Sequence, residues 1–155
     1  MTKKLIALVL CFMMLLTLAA CRTKPATDEP KYKIGIITGT VSQGEEEYQA
    51  AQNMAAKYGD IIVTATYPDN FSSETETTIA NTVALASDPA VKAIVFVQAV
   101  PGTAAAIDKV RETRPDMLFI AGVAAEDPAT IASKADIVLL VDEISMGTAM
   151  PKKAA

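Results

Sequence analysis

The 155-residue chain has no histidine and no tryptophan, and its only cysteines are Cys11 and Cys21. Without histidine, no imidazole can activate a serine or cysteine nucleophile, and no Gly-x-Ser-x-Gly elbow is present. A metal site would have to be built from oxygen ligands. The adjacent pairs Glu126-Asp127 and Asp142-Glu143 read better as caps, solvated loops or ion-pair partners. A pair of carboxylates can do acid–base work, but nothing singles one pair out. The expectation is a protein that is not an enzyme and carries no metal or cofactor. A phosphate loop is also lacking. Gly39 and Gly44 have the right spacing, but Glu45 and Glu46 follow where lysine and a hydroxyl residue are needed.

Charge is missing from one long stretch. Lys3 and Lys4 make a short basic start, and from Leu5 to Ala20 no residue is charged. As a helix that run spans about 24 Å at roughly 1.5 Å per residue. A bilayer core is about 30 Å thick, so the length suits the apolar part of an export signal better than a permanent span. The run ends in Leu18-Ala19-Ala20-Cys21, which resembles the lipobox of bacterial lipoproteins. That resemblance implies a diacylglyceryl group on the Cys21 thiol and cleavage just before it. Several acyl chains make a lasting tether where one binds only marginally. The other cysteine, Cys11, lies inside the leader, so the mature part has no disulfide to make.

Losing Lys3 and Lys4 with the leader leaves twelve basic against eighteen acidic residues, a net charge of −6. That is a poor match to a phosphate backbone, so nucleic acid is not an expected partner.

Three segments follow: a signal peptide at 1–20, a linker at 21–32 and a folded lobe at 33–155. The linker holds Pro25, Asp28, Glu29 and Pro30 and has little to bury. In the lobe, apolar runs alternate with helix-like stretches. Lys33–Thr38, Ile61–Thr66, Val91–Val97, Met117–Ile120 and Ile137–Val141 read as strands, most of them continuously apolar. Ser42-Gln-Gly-Glu45 and Ser73-Glu-Thr-Glu76 have the form of capping boxes. Gly59 is placed to end the first helix, and Ile79, Val83 and Ala86 mark the buried side of the second. Thr103 can cap the third helix, Asp127-Pro128 can open a fourth, and Gly147 onward a fifth. Continuous apolar strands alternating with helices predict an α/β fold, a three-layer αβα sandwich around a parallel five-stranded sheet. The expected strand order is 2-1-3-4-5.

Ligands of such sheets bind beyond the carboxyl ends of the strands. The candidates there are Thr40, Ser42 and Gln43 after strand one, Tyr67 after strand two, Gln98 after strand three, Gly122 after strand four and Asp142 at the end of strand five. Gln98 stands out as a polar residue in an apolar context. Ser42 is also a helix-cap candidate, which would commit its hydroxyl to backbone.

The lipobox, the linker, Lys33-Ile-Gly-Ile-Ile-Thr-Gly-Thr40 and the β–α alternation up to Ala135-Asp-Ile-Val-Leu-Leu-Val-Asp-Glu143 together resemble the amino-terminal lobe of type I periplasmic solute-binding proteins. More narrowly, the chain resembles a family of bacterial lipoproteins with that fold whose ligand is unassigned. The resemblance implies an extracytoplasmic, lipid-anchored receptor for a small polar molecule, with an ABC importer or a sensor as partner. It also implies a second lobe, so the chain is expected to be half of a two-lobed cleft. A sugar is not the expected ligand, because tryptophan is absent and the loops hold mainly Thr, Ser, Gln and Ala. Two alternatives remain open: an exported flavodoxin-like protein, and a surface or signalling lipoprotein with no ligand.

Overall fold

The computed structural model describes residues 32–142 and Ser145. The signal peptide, Leu18-Ala19-Ala20-Cys21, nearly all of the linker and the helix expected from Gly147 lie outside the described residues. Among the described residues, five strands alternate with four α-helices in the order β1 (Lys33–Thr38), α1 (Glu45–Tyr58), β2 (Ile62–Thr66), α2 (Thr75–Ala86), β3 (Val91–Phe96), α3 (Thr103–Arg111), β4 (Leu118–Ala121), α4 (Pro128–Lys134) and β5 (Ile137–Val138). All pairings are parallel and the sheet order is β2-β1-β3-β4-β5, as the sequence predicts. None of the described helices is long and apolar enough to cross a membrane.

Apolar side chains on both sides of each strand demand cover on both faces. On one face Ile37, Ile94, Phe96 and Phe119 are buried against Leu85, Ile107 and Val110 of α2 and α3. Phe96 and Phe119 stack with ring centroids 6.2 Å apart. Ile131 of α4 extends this layer over Ala99, Ala104 and Ala121. On the other face Ile36 and Ile62 pack under Ala51 of α1. Register places Val95, Ile120 and Ile137 in one row with Ile36. Burial falls off along that row away from α1, and Ile137 is 45% exposed.

Local rules hold at some ends and fail at others. Gly59 adopts φ +60° and stops α1, its N–H reaching the carbonyl of Ala55. Asp127 caps α4, its carboxylate accepting from the Thr130 N–H at 2.8 Å, with Pro128 in the first turn. Neither expected capping box forms. α1 begins after Gly44 and α2 after Glu74, both without a side-chain cap. The Ser73 hydroxyl turns back to the Asn70 carbonyl instead. Thr103 is the first residue of α3 rather than its cap, and its hydroxyl donates to the Val100 carbonyl at 2.7 Å. Helix α2 is rotated by one position from the sequence expectation. It buries Thr78, Thr82, Leu85 and Ala86, while Val83 is 37% exposed. Two features permit this. Gly35 leaves the space that Leu85 fills, since a β-carbon there would lie 2.5 Å from Leu85 Cδ2. The Thr82 hydroxyl is satisfied inside the helix by the Thr78 carbonyl at 2.9 Å. Strand β5 is shorter than expected, and Leu139, Leu140 and Val141 are exposed.

Candidate functional site

The carboxyl ends of β1 and β2 are neighbours because these strands pair in register from Ile34–Ile62 to Thr38–Thr66. The loop after β1 and the loop after β2 therefore meet, and between them lies an open cleft of about 570 Å3 lined by Thr40, Val41, Ser42, Tyr48, Thr66 and Asp69. Its walls are more apolar than polar, and their polar groups are four hydroxyls and one carboxylate.

Asp69 organises the cleft. Its Oδ1 accepts from the Thr40 hydroxyl and, at 2.9 Å, from the Ser42 hydroxyl. The two hydroxyls also contact each other at 2.8 Å. These donors hold the Asp69 carboxyl below the usual aspartate range, Thr40 contributing most and Ser42 next. Asp69 is thus an anion at neutral pH, solvent-exposed and fixed by two short side chains. The Ser42 hydroxyl is spent here, which is why it does not cap α1.

Gln43 braces this geometry from behind. Its Nε2 donates to the carbonyls of Pro68 at 3.1 Å and Asp69 at 2.7 Å, and its Oε1 accepts from the Thr40 N–H at 3.1 Å. Both ends of the amide are engaged within the protein, so Gln43 joins the two loops rather than facing a ligand. Gly39 makes room for it, since a β-carbon at Gly39 would stand 3.1 Å from Gln43 Cβ and Oε1.

The other sequence candidates are placed elsewhere. Tyr67, expected in a binding loop, is 2% exposed and belongs to the core. Its hydroxyl donates to the Gln98 carbonyl. Burial pushes the Tyr67 phenol well up, and the Glu47 charge adds to the effect. Gln98, at the end of β3, donates from Nε2 to Glu47 Oε1 in the first turn of α1 at 3.1 Å. It thus stands across from the β1 end but does not line the cleft. Gly122 is a packing requirement, because a β-carbon there would lie 2.1 Å from the Val97 carbonyl oxygen. The Asp142 carboxylate accepts from the Ser145 N–H at 3.0 Å and from its hydroxyl, as a helix cap does. Of the seven candidates, Thr40 and Ser42 line the cleft and Gln43 supports it. Asp69, Tyr48 and Thr66 were not singled out from sequence. A Pro-Asp-Asn turn directly after a strand was the available signal for Asp69.

Charge is divided between the two ends of the sheet. Among the described residues, Lys33, Lys92 and Arg114 lie where strands begin, and Lys57, Lys109, Arg111 and Lys134 lie in the last turns of helices. Helices in this fold run back from the carboxyl end of the sheet to its amino end, so all seven collect at the end opposite the cleft. The ion pairs gather there too, among them Lys33–Asp88, Arg111–Asp136 and Arg114–Asp116. The loop end carries Glu45, Glu46, Glu47, Asp69, Glu74, Glu76, Glu126, Asp127 and Asp142, with no described lysine or arginine. Some of these carboxylates answer helix dipoles. Asp69 does not, since it belongs to no helix.

A solved structure described as "Putative transcriptional regulator" from Clostridium difficile 630 superposes with a TM-score of 0.62 at 28% identity, over 70% of this chain and 33% of that one. An "Uncharacterized protein" of Treponema pallidum (strain Nichols) is 35% identical over 127 residues, covering 77% of this chain and 58% of the relative. Another protein of the same organism is 42% identical over 69 residues, covering 44% of this chain and 32% of that relative. The chain therefore spans little more than half the length of the first relative and a third of the other two proteins. The family model described as "Protein of unknown function (DUF3798)" matches residues 32–155, and the chain belongs to that family.

Proposed function

We propose that this protein is a lipid-anchored, extracytoplasmic solute-binding lobe that takes a small polar molecule for import or sensing. One observation carries the reading: the open cleft at the carboxyl ends of β1 and β2, with Thr40, Ser42, Tyr48, Thr66 and Asp69 on its walls. Parallel α/β sheets bind ligands at that end, and a few fixed polar groups in a concave site set orientation. A scaffold without a ligand would fill that end with its own side chains. The type I periplasmic-binding-protein likeness fits the sheet order and supplies the second lobe that would close over the cleft. The Leu18-Ala19-Ala20-Cys21 box supports an anchor on the outer side of the cytoplasmic membrane, and an importer or sensor there is the natural partner. The Clostridium difficile protein's description raises nucleic acid as an alternative, but an acidic loop end with no described cation argues against a phosphate ligand.

Two measurements test this reading. This chain and the longer Treponema pallidum relative are screened against small polar solutes by thermal shift. Binding by the relative alone places the rest of the site in the additional chain, and binding by neither removes the receptor reading. Separately, Cys21→Ser should release the protein from the membrane fraction, and membrane retention of that variant would remove the lipid anchor.

A further inference from the structure

The solute-binding reading leaves open what kind of solute the cleft accepts. We infer that it is an organic cation, a protonated amine whose N–H groups meet Asp69 and the hydroxyls around it. The inference rests on the reading above and deepens it.

Three observations converge. First, the cleft presents one fixed negative charge and no positive one. Asp69 spends Oδ1 on Thr40 and Ser42. Those bonds hold the carboxylate in place through one of its two oxygens. A carboxylate can only accept, and Thr40, Ser42, Tyr48 and Thr66 can accept as well. A ligand rich in N–H donors fits this wall, and an ionised donor makes the stronger bond.

Second, the usual means of holding an anion in this fold is disabled. A helix N-terminus at the end of β1 would serve a phosphate or carboxylate. Here Glu45, Glu46 and Glu47 occupy the first turn of α1. Their charges compensate the dipole and repel a second anion.

Third, the separation of charge along the sheet acts at longer range. Every described lysine and arginine lies at the far end, mostly in ion pairs, while the cleft end carries carboxylates alone. A field of one sign over a concave site raises the local concentration of oppositely charged solutes.

The test uses the full chain, purified in detergent at low ionic strength and followed by NMR titration, which registers weak binding. The probes are spermidine as the cation, ribose as a neutral polyol and citrate as the anion. Spermidine should shift resonances of Thr40, Ser42, Thr66 and Asp69 and bind more tightly than ribose or citrate. Asp69→Asn keeps an oxygen that can accept from Thr40 and Ser42, and it should weaken spermidine by about tenfold. Asp60→Asn removes the same charge at the opposite end of the sheet and should leave spermidine binding unchanged. Equal loss in both variants means attraction to an acidic surface, and it overturns the inference. Tighter binding of ribose or citrate also overturns it while the solute-binding reading stands. No shift with any probe at millimolar concentration counts against both.

Discussion

The side-chain amide of Gln43 donates to the backbone carbonyl of Asp69 at 2.7 Å, tying the loop after β1 to the loop after β2. The same amide also bonds Pro68 and Thr40. The position of the Asp69 carboxylate therefore depends on a residue that does not touch the cleft. Gln43→Ala should lower stability by about 1–2 kcal/mol and speed hydrogen exchange in the Asp69–Phe71 segment. Solute affinity should fall because the carboxylate is no longer held. Unchanged exchange in that segment would show that the amide does not brace it.

Gly122 separates packing from binding. The Val97 carbonyl oxygen would lie 2.1 Å from any β-carbon at that position, closer than real contacts allow. The obstacle is backbone, so rotamer changes cannot relieve it. Gly122→Ala should cost about 2–3 kcal/mol, read from the urea midpoint, with solute affinity unchanged in the folded fraction. Normal stability with lost binding would return Gly122 to the site.

The sheet was legible because its signal is collective. Five apolar runs separated by helix-length segments leave few topologies, and strand order follows from how such sheets are wound. Helix phase was less legible. Thr78 and Thr82 look like solvent-facing residues until Thr82 is seen bonding within its own helix and Leu85 is seen filling the space at Gly35. The site was half legible for a related reason. Thr40 and Ser42 sit at a strand end that the fold marks out. Asp69 reaches them from 27 to 29 positions along the chain, and its partnership exists only once β1 and β2 pair. Tyr67 misled in the opposite direction. A tyrosine beside Pro68-Asp69 reads as a loop aromatic, yet its ring completes the core and its hydroxyl finds a backbone carbonyl.

Acid should destabilise the protein through its bridging aspartates. Asp136 accepts from the Phe119 N–H at 2.8 Å and from Arg111 at 2.9 Å. The Phe119 bond is the larger cause of its lowered pKa, followed by Arg111. A carboxyl lowered in the folded state binds fewer protons there than in the unfolded chain. Its stabilisation is complete above the ordinary aspartate value of 3.8 and is lost as pH falls through the lower folded value. Asp69, Asp88, Asp116 and Asp127 are shifted the same way. Urea stability should be flat near neutrality and fall below about pH 4, and Asp136→Asn should make that fall shallower. An equally steep fall in the variant would remove Asp136 from the acid response.

Arg114 offers a test at the end of the sheet far from the cleft. Its Nη1 donates to the carbonyls of Ala86 at 3.0 Å and Asp88 at 3.4 Å, and its Nη2 donates to Val91 at 2.8 Å. Its Nε faces Asp116 at 3.3 Å. One guanidinium therefore ties the end of α2 and the start of β3 to the turn leading into β4. A lysine keeps the charge but cannot spread its donors over three carbonyls in a plane. Arg114→Lys should cost about 2 kcal/mol, and the cost should persist at high salt because neutral carbonyls, rather than Asp116, supply most of the bonding. If added salt abolished the difference between the two proteins, the Asp116 ion pair would be the source of the stability and the carbonyl bonds would contribute little.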